Sequence, residues 1–404
     1  MKFKITLIAV SLVALYTLQA QEVKSPELGK GLFNLVGQDS SWTMKVGLRM
    51  QLLGASTWED GAGNETSFLV RRARLKFDGY ALSPKLEYKI ELGLSNRDLS
   101  GASEFTSDAP RYILDAQLKW NFYKNFEVWF GQGKLPGNRE RIISSANLQQ
   151  VDRSLLNSRF TLDRDFGFQL RHHFNLGNAF IVKEIFSLAQ GEGRNVTTGN
   201  LGGHQYTGRI ELLPFGDFSN DGDYVGSDLK RELTPKLAFA ISYDHNSNAV
   251  KTRSNQGDYM SIDSGNGFFK TNINTLFLDA MFKYNGFSLM AEYADREAKD
   301  PFAKNSDGTF LLDDHGKNVT VQVGKALNIQ SGYLFKNNIE VSGRYTHIAL
   351  NKHITGKNPE NQYTLGVSKY IVGHKLKVQT DLSHLEVSNG NNQIMYRLQF
   401  ELHF

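Results

Sequence analysis

The chain has 404 residues, a formal net charge of +4 at pH 7, a mean hydropathy of −0.39 and no cysteine. So small a charge argues against nucleic acid as a partner, and the lack of cysteine excludes disulfides and thiolate metal sites. Composition alone fits either a soluble protein or a barrel with an apolar outer face and a polar inner face. The periodicity of the sequence has to separate these two cases.

The first twenty residues have the order of a secretory signal peptide. Lys2 and Lys4 form a basic start, residues 5–15 are almost wholly apolar, and Ala20 is a small residue before the expected cleavage point. The apolar stretch is shorter than the ~20 residues that a membrane-spanning helix needs. We expect residues 1–20 to be removed, residues 21–41 to form a short periplasmic segment, and residues 42–404 to form the folded domain.

From residue 42 onwards, apolar and polar residues alternate with the period of two that is typical of a β-strand with one apolar face. Near the C-terminus, Ile394, Tyr396 and Leu398 alternate with Met395 and Arg397. Such runs occur sixteen times, at residues 42–53, 69–77, 86–94, 112–122, 126–133, 164–174, 179–189, 206–213, 237–243, 274–284, 287–294, 319–333, 339–346, 362–371, 375–385 and 394–404.

The links between these runs alternate between short and long, apart from one long turn at residues 214–236. The short links are 78–85, 123–125, 175–178, 285–286, 336–338 and 372–374, and the long ones are 54–68, 95–111, 134–163, 190–205, 244–273, 295–318, 347–361 and 386–393. Outer-membrane barrels join an even number of strands by short periplasmic turns and longer outer loops in this way. The sequence therefore predicts an all-β fold, a transmembrane antiparallel β-barrel of sixteen strands over residues 42–404. Sixteen strands leave an aqueous channel.

The third long link, residues 134–163, is expected to fold into the lumen. Leu148, Val151 and Leu155 recur at spacings of three and four, which indicates one face of a short helix, capped by Ser144 or Ser145. Such a segment could pack on the barrel wall and narrow the channel. The alternative is an outer loop that folds on itself.

Basic residues collect in two places near the start of the barrel. Arg72, Arg74 and Lys76 share the strand face whose phase points to the lumen. Arg49 points inward from the preceding strand. Arg71 has the opposite phase, so it either lies at the membrane rim or needs a local bulge. Because rings of Arg and Lys select anions in pores, the candidate constriction residues are these and the basic residues of the third loop: Arg49, Arg71, Arg72, Arg74, Lys76, Lys134, Arg139, Arg141 and Arg153. The alternative is that these bases pair with nearby acids and only hold the loop.

Several segments resemble the phosphate-selective porin O and P family. They include Gly131-Gln132-Gly133-Lys134-Leu135-Pro136, then Arg139-Glu140-Arg141 and Asp152-Arg153-Ser154-Leu155, with further similarity at residues 68–77, 190–195 and 208–216. The resemblance implies an outer-membrane anion channel that assembles as a homotrimer, with phosphate or polyphosphate as its solute. The remaining expected partners are outer-membrane lipid and the barrel assembly machinery.

The sequence indicates no catalytic residues, no cofactor and no metal site. Asp217, Asp221, Asp223 and Asp228 lie in the one long turn and could bind calcium, but they lack EF-hand spacing and are more typical of solvated turn acids. Three functions remain open: an anion porin, a general or sugar-type diffusion porin with structural arginines, and an outer-membrane hydrolase on a barrel scaffold. The hydrolase is disfavoured because the two local pairings, Thr346 with His347 and Ser383 with His384, are strand neighbours whose side chains point apart.

Overall fold

The structure is a computed structural model that describes residues 27–99, 103–177, 179–262 and 267–404. The predicted signal peptide, residues 1–20, lies outside the described residues. Within them the strands are β1 (Phe33–Val36), β2 (Thr43–Glu59), β3 (Gly63–Ala81), β4 (Ser83–Gly93), β5 (Ile113–Tyr123), β6 (Phe126–Lys134), β7 (Arg164–Leu176), β8 (Phe180–Ala189), β9 (Gln205–Leu213), β10 (Lys236–Ala249), β11 (Lys251–Arg253), β12 (Gln256–Tyr259), β13 (Thr271–Tyr284), β14 (Phe287–Ala298), β15 (Gly324–Leu334), β16 (Ile339–Leu350), β17 (Glu360–Val372), β18 (Leu376–Val387) and β19 (Gln393–His403). Four short helices accompany them: α1 (Asn96–Leu99), α2 (Arg139–Ile142), α3 (Leu155–Phe160) and α4 (Lys352–Thr355).

Sixteen of these strands, β2–β10 and β13–β19, form one closed antiparallel barrel. Each strand pairs with the next one along the chain, β10 pairs with β13, and β19 closes the barrel on β2. The predicted strand number and antiparallel order are therefore confirmed. The short strand β1 pairs with residues 43–46 of β2, next to the stretch 49–59 that pairs with β19. The segment 21–41 thus adds one strand beyond the end of β19.

Three predicted boundaries differ from the structure. The predicted link 54–68 is mostly strand, because β2 and β3 stay paired out to Glu59 and Gly63. Hydrogen bonding between strands does not require alternating apolar residues, so the sequence pattern of this polar hairpin did not indicate that it is strand. The predicted link 244–273 contains the end of β10 and the β11–β12 hairpin, and the predicted strand 319–333 begins only at Gly324.

Burial in the strands is the reverse of that in a soluble β-protein. Along β9, Gln205, Thr207, Arg209 and Glu211 are buried, while the apolar residues between them, such as Ile210, are exposed. Large apolar side chains are exposed on the outward phase of strand after strand, as on a barrel that contacts lipid. No helix among the described residues is long and apolar enough to cross a membrane.

The links divide the barrel into two ends, which we call the turn end and the loop end. The turn end carries residues 82, 124–125, 177–179, 214–235, 285–286, 335–338 and 373–375, and the loop end carries residues 60–62, 94–112, 135–163, 190–204, 250–270, 299–323, 351–359 and 388–392. The alternation of short and long links is confirmed, except that the first loop-end link is short.

Candidate functional site

The third loop, residues 135–163 between β6 and β7, is bound to buried side chains of the barrel strands. Arg139 Nε lies 2.6 Å from Asp279 Oδ1, and neither side chain has any exposed surface. The backbone N–H of Glu140 donates to Glu292 Oε1 at 2.7 Å, and Gln149 Nε2 donates to Glu340 Oε1 at 2.6 Å. Lys377 Nζ donates to the carbonyls of Ala146 and Leu148. These contacts tie the loop to strands β13, β14, β16 and β18.

The predicted helix on Leu148, Val151 and Leu155 is wrong. Residues 143–154 form turns and bends, and α3 begins only at Leu155, where Ser154 Oγ accepts a hydrogen bond from the N–H of Asn157. Leu148 packs in one apolar cluster and Leu155 packs against another. The helical spacing arose because an irregular chain follows the barrel wall and places apolar side chains in separate pockets.

The long turn between β9 and β10, residues 214–235, meets the third loop, and we call it the inner turn. The N–H of Gly226 donates to the carbonyl of Asn147 at 2.7 Å, and Arg139 Nη1 donates to the carbonyl of Asp223 at 2.9 Å. Asp223 and Asp228 are buried, so describing them as solvated turn acids is wrong. Asp223 pairs with Lys183, and Asp228 accepts from the N–H of Gly286. Within the described part of the chain, no group of three or more His, Asp or Glu residues is placed to hold a metal ion.

A cavity of about 980 Å³ lies between the third loop and the barrel wall formed by strands β3–β7 and β16–β19. Among the described residues its lining contains sixteen basic and five acidic side chains, a far larger positive excess than the net charge of the whole chain. The acids are Glu91, Asp98, Asp115, Asp152 and Asp163, and the bases are Arg71, Arg72, Arg74, Lys89, Arg97, Lys119, Lys134, Arg141, Arg153, Arg159, Arg164, Arg171, Arg194, Arg253, Arg344 and Arg397.

Six of the nine candidate constriction residues line this cavity: Arg71, Arg72, Arg74, Lys134, Arg141 and Arg153. The other three do not. Arg49 is buried against Ser145 of the third loop, and Arg139 is buried against Asp279. Lys76 pairs with Asp78 at 2.8 Å, where both side chains are more than a third exposed.

A β-bulge brings Arg71 into the cavity beside Arg72. Gln51 pairs with Arg72 and Leu52 pairs with Val70, so Arg71 is an extra residue in β3. Because such a residue shifts the strand phase, both arginines bind Asp152, at 2.5 Å from Arg71 and 3.2 Å from Arg72. Of the two predicted alternatives for Arg71, the bulge is confirmed. Burial raises the pKa of Asp152, but Arg72 and Arg71 outweigh it and hold that pKa well below its usual range.

The cavity cations differ in how far carboxylates neutralise them. Arg74 pairs with Glu91 at 2.8 Å and with Asp98 at 3.2 Å, and Arg141 pairs with Asp163. Lys134 and Arg153 instead donate to backbone carbonyls of the third loop, including that of Ile143. Within the described residues neither forms an ion pair, so both leave a positive charge at the cavity wall.

Sequence reasoning missed several lining residues for two different reasons. Lys89 and Lys119 lie on polar strand faces, so the alternation of the sequence already indicated that their side chains point into the lumen. Arg194 and Arg253 come from loop-end segments without periodicity, and only the folded chain brings them to the cavity.

A closed sixteen-stranded barrel with an apolar outside and a charged cavity inside defines a porin of the outer membrane. Residues 45–395 match the family described as phosphate-selective porin O and P, and the chain belongs to that family. It is a multi-pass β-barrel protein of the Gram-negative outer membrane. Family and fold favour a channel over an enzyme.

Similar proteins support the fold. A protein of Aquifex aeolicus (strain VF5), described as uncharacterized, is 22% identical over 371 residues, which cover 84% of this chain and 81% of that protein. The anion-selective porin from Comamonas acidovorans has a TM-score of 0.54 at 12% identity, with 90% of this chain and all of the porin covered. Salmonella typhi OmpF, solved with daunomycin, has a TM-score of 0.57 at 10% identity, with 92% and 100% covered. At these identities the likeness to the two structures concerns the fold alone.

Proposed function

We propose that this porin passes small anions by passive diffusion, with phosphate or polyphosphate as the solute. The observation that carries the proposal is the lining of the cavity, with sixteen basic and five acidic side chains in a chain of net charge +4. Charges more than ~8 Å apart are largely screened at physiological salt. A permeating ion therefore responds to the lining rather than to the net charge, and a lining rich in Arg and Lys suits anions. The family description supports phosphate in particular.

We also propose that the third loop lies in the lumen and sets the width of the channel, with Arg71, Arg72, Arg74, Lys134, Arg141 and Arg153 at the constriction. The support is the set of buried contacts that join the loop to barrel strands far along the chain, such as the pair of Arg139 with Asp279. The inner turn supports the loop from the turn end through Asn147.

The remaining parts of the proposal rest on the family, on the fold and, for the signal peptide, on the sequence of residues 1–20. The turn end faces the periplasm, as short turns do in outer-membrane barrels. Residues 1–20 are a signal peptide, and the mature chain begins at Gln21. The barrel assembly machinery inserts the chain, outer-membrane lipid covers its apolar belt, and three copies form a homotrimer.

One observation favours the second candidate, a general or sugar-type diffusion porin. Arg71, Arg72, Arg74, Arg141 and Arg164 all pair with carboxylates, which reduces the charge that a solute meets. A hydrolase has less support, because Ser383 is buried against Thr364 while His384 pairs with Glu386 on the opposite strand face.

The experiment is a planar-bilayer recording of the purified porin in a tenfold KCl gradient, with and without added phosphate. We expect a reversal potential of the sign for anion preference, and a chloride current that phosphate reduces. The double variant Arg72→Glu with Arg74→Glu should shift the preference toward cations. Lys304→Glu with Lys325→Glu makes the same change of net charge at two exposed residues outside the cavity lining and is the matched control.

A wild-type channel without ion preference would support the general diffusion porin instead. If the Arg72 and Arg74 double variant, shown to be folded by its heat-modifiable migration on a gel, kept wild-type anion preference, these two arginines would not be the filter.

A further inference from the structure

Two cationic side chains lie over the indole ring of Trp129, a residue of β6, inside the cavity. The Lys119 Nζ atom lies 4.1 Å from the ring centroid, and the Arg171 Cζ atom lies 3.7 Å from it. The indole N–H donates to Glu127 Oε2 at 2.8 Å, which fixes the orientation of the ring. Lys119, Trp129 and Arg171 all belong to the cavity lining.

The strand register explains why these side chains meet. Lys119 on β5 is directly opposite Trp129, and Trp129 is opposite Gln169 on β7, two residues before Arg171. Residues two apart on a strand share a face, and diagonal neighbours lie within reach of aromatic and long side chains. Lys119, Trp129 and Arg171 each lie one residue to the turn-end side of the middle of their strands, so the cluster lies in the turn-end half of the barrel wall, next to its middle.

The ring holds Lys119 and Arg171 in place, with Glu87 directly opposite Lys119 and Glu127 directly opposite Arg171 in the strand register. Within the described residues neither forms an ion pair, and Arg171 Nη2 donates to the neutral Gln169 Oε1 at 3.0 Å. The negative face of an aromatic ring attracts cations and carries no net charge. The cluster therefore differs from Arg71, Arg74 and Arg141, which form ion pairs with Asp152, Glu91 and Asp163.

The cavity also has flat apolar surface. Trp129 and Tyr224, from the inner turn, are the two aromatic residues among the described residues that line the cavity. A guanidinium binds carboxylates in its plane and stacks on aromatic rings with its faces. Two positive charges beside stacked flat groups suit an anion that itself contains a flat ring.

We propose that Lys119, Trp129 and Arg171 form a binding subsite for aromatic carboxylates within the channel. The ring stacks on the face of the Arg171 guanidinium that Trp129 leaves open, and the carboxylate accepts a hydrogen bond from Lys119. The subsite rests on the proposed anion channel and adds a class of organic solute to it. An inorganic anion would use only the two charges.

The test compares benzoate with cyclohexanecarboxylate as blockers of the chloride current, because both carry one carboxylate on a six-membered ring and only benzoate is flat. For the wild type we expect a half-blocking concentration roughly fivefold lower for benzoate, the effect of one stacking contact of this kind. Trp129→Leu should bring the ratio of the two concentrations close to one, and Trp129→Phe should keep most of it. Arg171→Lys, which keeps the charge and loses the planar group, should also lose the ratio.

The control is Trp120→Leu. Trp120 follows Lys119 on β5 but is 55% exposed on the outer face, so this variant should keep the wild-type ratio. Equal block of the wild type by both acids would overturn the subsite, as would loss of the ratio in Trp120→Leu or its retention in Arg171→Lys. If Trp129→Leu did not fold, Trp129→Phe and Arg171→Lys would still decide. The wild-type reversal potential is read from the same membranes, so failure of anion preference is distinguished from failure of the subsite.

Discussion

Replacing Asp152 with asparagine should strengthen anion binding in the channel. The carboxylate is the shared partner of Arg71 and Arg72, whose side chains are 8% and 5% exposed. The substitution Asp152→Asn keeps the size of the side chain and removes one negative charge from the cavity lining. Because the two arginines hold the pKa of Asp152 well below its usual range, the wild-type residue stays charged at any working pH. The comparison is therefore between a full charge and none.

The size of the effect follows from the distances. An anion on the open side of Arg71 and Arg72 would lie roughly 6 Å from the Asp152 carboxylate, since each hydrogen bond spans about 3 Å. The repulsion removed is about 0.7 kcal/mol in water and about 3 kcal/mol at an effective dielectric of about 20. The Asp152 side chain is 23% exposed in a cavity open to water, so we take about 1 kcal/mol, which is about fivefold in affinity.

The assay is block of the chloride current by phosphate in planar bilayers. The half-blocking phosphate concentration should fall about fivefold at low salt and should change less at about 1 M salt, where the screening length is only ~3 Å. Asp300→Asn makes the same charge change at an exposed pair with Lys304 and should leave the block unchanged. Equal effects of the two variants, or weaker phosphate block in Asp152→Asn, would refute the reasoning from local charge.

Three further predictions concern stability. Arg139→Leu breaks the fully buried ion pair with Asp279; because Asp279 keeps Arg209 as a second partner at 2.7 Å, the cost should be about 2 kcal/mol, seen as a lower unfolding temperature. Lys76→Leu, at an exposed pair, should cost less than ~1 kcal/mol, and equal losses would contradict this. Gly131→Ala should impair folding in detergent, because φ is +118° and a Cβ would lie 2.2 Å from the Ala116 carbonyl oxygen. Gly208→Ala, with open space around it, should fold normally. Burial raises the pKa of Glu192, in the loop between β8 and β9, from 4.5 to about 7, despite a hydrogen bond from the Gly202 N–H. The folded state then binds the proton more tightly, so stability should fall as pH rises from about 4.5 to 7. Glu192→Gln should remove most of that dependence of the unfolding temperature, and an unchanged slope would argue against it.

Where prediction failed, the failures have physical reasons. The helix expected from Leu148, Val151 and Leu155 does not form, because apolar spacing in a loop reports the pockets that it meets as well as helical periodicity. The acids Asp223 and Asp228 were predicted to be solvated, but the inner turn lies against the third loop and buries them. Nothing local in either segment encodes these contacts, since their partners are far away in the chain.

The sequence by itself determined the number of strands, their order and the face that each side chain takes. In a strand, successive side chains point to opposite faces, so the pattern of apolar and polar residues assigns each one to lipid or lumen without knowledge of the rest of the chain. The β-bulge at Arg71 was one of the two alternatives that the position of this residue in the alternating pattern predicted. Only the tertiary structure decided which cations share the cavity and which carry a neutralising partner. Arg71 and Asp152 are 81 positions apart, and Arg171 reaches Trp129 through the register of neighbouring strands. The strength of a charge interaction depends on distance and surroundings, and closing the barrel and placing the loop set both.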